Sequence, residues 1–294
     1  MENKRYQHLK VTPGTYVPPV QVDYPEEDPY VGLYRPVYDR EFPAVDANYP
    51  YFDESPKTLR LIRRGYCVVL RTLGVLLRIQ YGLRWRIEGE DKWHRCSWPV
   101  RRWLKQFDLS RGAITVANHC YRHDCASVLT AIHATHRTRI PMFAPNFRTK
   151  DQIFLLMVGG VPIPDVSEGL SAMKAFNNAF DEYNRRGYWF HIFPEAKRWD
   201  WYKPLRPFQK GAFTMAYKYD KPIIPFAVSY RERTGLWRLF GPKDEPLTQV
   251  VIGAPIYPDT TKPRAVETER LLNETHATIC RLAGIEHNTW PSQL

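Results

Sequence analysis

No uncharged apolar run in the 294 residues approaches the roughly 18 needed to cross a bilayer, so the chain is expected to lie on a membrane rather than through one. Cysteine is sparse and irregularly placed, at Cys67, Cys96, Cys120, Cys125 and Cys280. An odd count without regular spacing, and without a signal-peptide pattern, excludes a disulfide framework and predicts reduced thiols in the cytoplasm. Internal repeats are missing, and low complexity is confined to the N-terminal stretch. The length therefore accommodates one large domain with a substantial core and a tail.

What is abundant is unevenly distributed. Residues 1–57 carry prolines at 13, 18, 19, 25, 29, 36, 43, 50 and 56, interleaved with eight tyrosines. Proline at that density denies regular helix and central strand, which predicts an extended, turn-rich arm over 1–57 and a domain over 58–294. So many tyrosines favour an arm docked on the domain over a solvated tail. Residues 1–58 hold 6 Lys+Arg against 10 Asp+Glu, whereas 59–150 hold 18 against 5. The basic surplus suits anionic headgroups, phosphate-bearing substrates, an acidic carrier protein or nucleic acid, and charge alone does not choose among them.

Residues 58–80 read as an amphipathic basic helix. Leu59, Ile62, Tyr66, Val69, Leu73 and Leu76 fall in one stripe, with Arg60, Arg64, Arg71 and Arg78 opposite. That pattern fits either a helix in a bilayer interface or a surface helix packed on a core. Beyond it, residues 83–88 alternate like an edge strand, and a tryptophan-punctuated basic segment ends in a short helix before a strand at 113–117. Helices are predicted at 124–136, 149–158, 167–186, 208–219 and 261–283. Strands are predicted at 140–144, 188–193, 223–230 and 248–256. This alternation predicts an α/β fold: a mixed, mostly parallel sheet with helices on both faces.

The strand at 113–117 runs into a polar turn carrying Asn118, His119 and Asp124. On a regular helix five residues turn through about 500°, which would leave His119 and Asp124 roughly 140° apart. They meet only if the chain bends between them, with His119 on the turn and Asp124 in the first turn of the next helix. There the imidazole can give one nitrogen proton to the carboxylate and use the other nitrogen as a base. A strand that delivers such a pair to a loop at its carboxyl end is a common site of chemistry in α/β proteins.

Asn118-His119-x4-Asp124 resembles the first motif of the glycerolipid acyltransferases, which include 1-acylglycerol-3-phosphate acyltransferase. Three further blocks follow in that family's order, so the resemblance covers about residues 59–260. Gly160-Val-Pro-Ile-Pro164 resembles the second, Phe193-Pro194-Glu195-x-x-Arg198 the third and Lys221-Pro222-Ile-Ile-Pro225 the fourth. Leu205-Arg-Pro-Phe-Gln-Lys210-Gly211-Ala212-Phe213 resembles the family's Phe-Lys-x-Gly-Ala segment. Two departures stand out: Ala196 and Lys197 replace glycine and threonine in the third block, and Pro164 and Asp165 stand where an arginine usually closes the second.

The resemblance implies His119 as general base, with Asp124 fixing its tautomer. It implies Asn118, Gly160, Glu195, Lys197, Arg198 and Lys210 as substrate-binding residues. The expected reaction is acyl transfer from acyl-CoA or acyl carrier protein to a lysophospholipid hydroxyl, foremost 1-acylglycerol-3-phosphate, at a cytoplasmic membrane surface. The donor is a co-substrate, and neither a metal nor a bound cofactor is implied. The second-block departure keeps another lyso-lipid or an amino lipid in play as acceptor.

Three rivals share these residues. His119-Cys120-x-x-His123-Asp124-Cys125 has metal-ligand residue types, but its spacing fits no compact zinc pattern. Cys120 beside His119 raises a thiol nucleophile, although neighbours on an extended turn point apart. A non-catalytic basic module is the third, on membrane or nucleic acid. The chain matches no recognised nucleic-acid reader, so nucleic acid is left out of the expected partners.

Overall fold

In the computed structural model the described residues are 37–52, 56–121, 123–132, 134, 137–198, 204–239, 245–286, 288 and 290–293, with side chains left out for 56–63 and 67. Seven strands form one sheet: β1 (Arg84–Ile87), β2 (Ile114–Ala117), β3 (Thr138–Phe143), β4 (Gly160–Ile163), β5 (Trp189–Ile192), β6 (Ile223–Arg231) and β7 (Leu247–Ile252). Their order is β1-β7-β6-β2-β5-β3-β4. Every pairing is parallel except β6 with β7, which is antiparallel. The sheet is therefore mixed and mostly parallel, as the alternation of elements predicts.

Helices cover both faces. On one side lie α1 (Pro56–Gln80), α2 (Trp98–Leu104) and α3 (Asp124–Ala131), over a core that includes Leu77, Tyr81, Trp85, Val128 and Phe226. On the other lie α5 (Gly169–Arg185), α6 (Gly211–Tyr219) and α7 (Arg264–Ala283), packed through Phe176, Phe180, Phe213, Leu271 and Ile279. A short helix α4 (Gln152–Met157) adjoins α1. β2 sits at the sheet centre, wholly buried between β5 and β6, with Ile114 opposite both Phe190 and Ile223. Buried parallel strands read as continuous apolar runs, which is why 113–117 and 223–228 were legible.

Several boundaries depart from the sequence reading, each for a local reason. The helix expected to reach residue 136 ends at Ala131, and β3 is already under way at Thr138. Val161-Pro-Ile163, read only as a motif, is strand β4. It is tolerated there because β4 is the sheet edge, where a proline leaves no ladder bond unmade. The expected strand 248–256 stops at Ile252, and Ile256 adds an isolated bridge to Ile223. The last helix begins at Arg264, after Pro263, rather than at 261. Residues 1–36 and 53–55 of the expected arm lie outside the described residues. Residues 37–52 pack on the domain without helix or strand: the Arg40 amide donates to the Arg148 carbonyl at 2.8 Å, Val45 is buried, and the Phe42 ring stacks on Phe147 at 5.0 Å.

Candidate active site

The carboxyl ends of β2, β5 and β6 point the same way, and the turns that leave them converge. Asn118 extends β2 by one step: its side-chain amide donates to the Val228 carbonyl (2.9 Å) and its carbonyl accepts from the Val228 amide (2.7 Å). Both ends of Asn118 are thus occupied in holding the turn onto β6. The next residue, His119, leaves the sheet with its backbone amide donating to Glu195 Oε1 at 2.7 Å. Glu195 Oε2 accepts from the Arg206 amide at 3.2 Å, so one buried carboxylate ties the turns after β2 and β5 to the segment before α6. Burial pushes the Glu195 carboxyl up to about 7, against the Arg206 guanidinium and the two amide donors, which pull it down.

Asp124, fully buried, opens α3. Its Oδ2 accepts from the Cys120 and Tyr121 amides, each at 2.6 Å, and lies 3.3 Å from His119 Nδ1. The carboxylate folds the turn back on itself, and that fold is the bend that brings a His-x4-Asp pair together. The Asp124 side chain thus engages the two turn amides that precede α3 rather than an amide of the helix itself.

The His119 imidazole lies flat on Phe193, with ring centroids 4.0 Å apart and 17° between planes. Its side chain retains 22% exposure, so it is reachable from solvent. Nδ1 faces Asp124, and among the described residues Nε2 makes no hydrogen bond. Desolvation lowers the imidazole pKa, Asp124 raises it, and the Arg198 and Arg206 charges lower it again. The net result is a neutral ring with a free nitrogen at neutral pH, the form a general base requires.

Beneath Phe193 a second, unanticipated histidine completes the stack. His191 is fully buried, with Nδ1 2.9 Å from Thr115 Oγ1 and its ring edge-on to Phe193 at 4.5 Å. Burial drives it down to about 3, so it stays neutral. Its signal was available in the sequence: His191 and Phe193 are two apart on one strand and so share a face. Arg206 was also passed over, although it lies in the segment quoted for the fifth resemblance.

Residues 85–229 match the family model described as Acyltransferase. The domain these residues form belongs to the acyltransferase family. The chain is also similar in fold to the crystal structure of the 1-acyl-sn-glycerophosphate (LPA) acyltransferase PlsC from Thermotoga maritima. That likeness, at 15% identity over 79% of this chain and 84% of that one with a TM-score of 0.43, carries nothing about activity. No curated protein sequence matches the chain significantly.

Within this acyltransferase domain the expected site residues separate. His119, Asp124, Asn118 and Glu195 are brought together, and the Arg198 charge acts on His119. Asn118 and Glu195 spend their polar atoms on backbone and so tether the turns. Lys197 is exposed just beyond the Glu195 tether, and Lys210 is exposed at the start of α6. Gly160 is not brought to the site. It opens β4, at the end of the sheet away from His119, and its missing Cβ lets the Leu155 carbonyl and Phe147 approach. The Cys120 thiol is buried, and burial together with the Asp124 charge pushes it well above its ordinary range, which opposes a thiolate nucleophile. Among the described residues, no three His, Cys, Asp or Glu side chains form a metal-holding group.

Proposed function

We propose that the chain transfers an acyl group from a thioester, acyl-CoA or acyl carrier protein, to the hydroxyl of a lysophospholipid, 1-acylglycerol-3-phosphate foremost, at a membrane surface. The observation that carries this reading is the neutral His119 ring. It is stacked on Phe193, aligned by Asp124 through Nδ1 and reachable through Nε2. An alcohol attacks a thioester only as its proton leaves. His119 Nε2 takes that proton, the acceptor oxygen bonds to the acyl carbon, and the collapsing intermediate expels the thiolate, which recovers a proton from the imidazolium. Base catalysis of this kind contributes on the order of 10²–10⁴ in rate, and Asp124 stabilises the imidazolium between the two transfers.

The acceptor's phosphate needs a cation, and the arginine that usually closes the second block is replaced here by Pro164 and Asp165. Arg148 lies in the same cleft as Asp165, Ser167 and Phe42, at the catalytic end of β4. We assign it the phosphate. The membrane contact rests on α1 and α4. Val68, Val75, Leu76 and Ile79 on the outer face of α1 are exposed, as are Ile153, Phe154 and Leu156 on α4, with Arg64 and Arg71 alongside. Among the described residues no helix is long and apolar enough to span a bilayer. An exposed apolar strip flanked by arginines fits an interfacial helix.

The test is thiol release from palmitoyl-CoA on phosphatidylcholine liposomes with lysophosphatidate, lysophosphatidylcholine or lysophosphatidylethanolamine as acceptor. Lysophosphatidate, whose terminal phosphate monoester carries the extra negative charge, should be preferred, and Arg148→Gln should raise its KM about tenfold or more, the size of a lost charge-assisted contact, with a smaller effect on the two phosphodiester acceptors. Equal use of all three acceptors, or an equal effect of Arg148→Gln on each, would reject the assignment of a phosphate monoester to Arg148.

A further inference from the structure

A second cluster of cations stands at the catalytic end of the sheet, on the strands beyond β6. Arg84 and Arg86 alternate along β1 and so share one face. The segment after β1 turns back, and His94 bridges Trp85 antiparallel, which presents Trp93 and Arg95 on that same face. Arg231 closes β6 two strands away. Two indoles hold the four guanidinium groups. Arg84 and Arg86 lie 4.1 and 5.0 Å from the Trp93 ring, while Arg95 and Arg231 each lie 5.0 Å from Trp237. Arg84 is further aimed by a 2.8 Å bond to Gln249, itself anchored to Ser229, and Arg231 by a 3.0 Å bond to the Gly82 carbonyl. A Cβ on Gly82, at φ 54°, would stand 2.6 Å from an Arg231 nitrogen, so the glycine is what admits that guanidinium.

Four fixed cations of one sign repel one another. Desolvation, then Arg95 and Arg86, lower the Arg84 pKa; Arg231 falls to about 10 through burial and the charges of Arg84, Arg95 and Arg233. Among the described residues none of these four arginines forms an ion pair, and the Nε atoms of Arg84 and Arg231 are buried without a hydrogen bond. The guanidinium charges that lower the His119 pKa are those of Arg198 and Arg206 rather than these four. Stacked guanidinium forks without a carboxylate partner, three half-buried and Arg95 exposed, match the geometry of phosphate oxygens.

We infer that Arg84, Arg86, Arg95 and Arg231, held between Trp93 and Trp237, form an anion site for a phosphate group distinct from the His119 centre. The phosphate can come from a soluble ligand or from a phospholipid headgroup, and the same variants read both. Titration calorimetry of the full chain at constant ionic strength would use inorganic pyrophosphate and adenosine 3′,5′-bisphosphate. Sedimentation would use phosphatidylcholine vesicles with and without phosphatidate.

Binding is expected to weaken about tenfold or more in Arg84→Gln/Arg95→Gln and to persist in Arg198→Gln. The melting temperature of the double variant should be unchanged or higher, because mutual repulsion is relieved. Should the double variant fail to fold, Arg95→Gln alone decides: the Arg95 side chain is exposed, and it joins the cluster through its stack on Trp237. Loss of binding to either soluble probe identifies a soluble phosphate, and loss of only the phosphatidate-dependent increment of vesicle binding identifies a headgroup; both support the site. Binding by no probe, equal binding by the cluster variants and the wild type, or loss confined to Arg198→Gln would overturn it.

Discussion

Asp124 shows how much one side chain is asked to do. Its Oδ2 accepts two turn amides and faces His119 Nδ1, so the carboxylate both builds the bend and orients the base. Asp124→Asn puts one amide nitrogen in place of a carboxylate oxygen and favours the wrong imidazole tautomer. Turnover should fall by about 10²–10⁴. The pH profile follows from the same environment. Burial, joined by Arg198 and Arg206, holds the His119 pKa below its ordinary value of 6.5. The imidazole is therefore deprotonated and active throughout neutral pH, and the acid limb of kcat/KM should lie below pH 6.5. Arg198→Gln removes a cation that disfavours the imidazolium, so it should move that limb upward. A limb that stays fixed in Arg198→Gln would contradict this electrostatic assignment.

Glu195 makes the complementary point, because its residue type suggested substrate binding and its contacts show backbone tethering. Glu195→Ala leaves the amides of His119 and Arg206 without their acceptor, at a cost of roughly 1–3 kcal/mol per buried donor. Urea unfolding should register that loss, and turnover should fall because His119 is no longer pinned. The pH dependence has a defined sign. The folded-state value of about 7 stands above the ordinary glutamate value of 4.5. The Glu195 contribution to stability is therefore full below about pH 4.5 and lost as pH rises through about 7.

At the scale of elements, β2 and β6 were legible because burial on both sides makes a parallel strand continuously apolar. β4 was not legible as a strand, since a Val-Pro-Ile-Pro run reads as a turn until its place at the sheet edge is known. Helix α1 was half legible. Tyr66, Val69, Leu73 and Leu77 do pack inward, whereas Leu76 turns out to be exposed beside Val75 and Ile79. A single sequence offered two destinations for this helix, interface or core, and the helix has a face for each. If the outer face meets lipid, Ile153→Asp/Leu156→Asp should sharply reduce sedimentation with liposomes while leaving the melting temperature unchanged, since both side chains are already exposed. Unchanged sedimentation would remove α4 from the membrane contact.

At the scale of the whole molecule, the charge asymmetry between the arm and residues 59–150 foretold a basic front but not its division. Some of those cations cluster with residues of β6 and the following turn, where Arg231 and Trp237 stand more than 130 positions beyond Arg95. Such long-range gathering leaves no trace in local spacing. The His119 constellation was readable because its residues fall in short motifs, whereas Thr115, His191 and Arg206 needed the sheet to bring them together. Gly160 lay inside a motif and yet serves the packing of an edge strand.

The most direct measurement is acceptor-dependent thiol release from palmitoyl-CoA on liposomes, comparing the wild-type chain with His119→Ala at neutral pH. The account predicts release that requires a lyso-lipid and falls by about 10²–10⁴ in the variant, with the fold intact by circular dichroism. Equal release by the two proteins would contradict His119 as the base. Absence of release with every lyso-lipid, from both acyl-CoA and acyl carrier protein donors, would contradict the proposed acyl transfer itself.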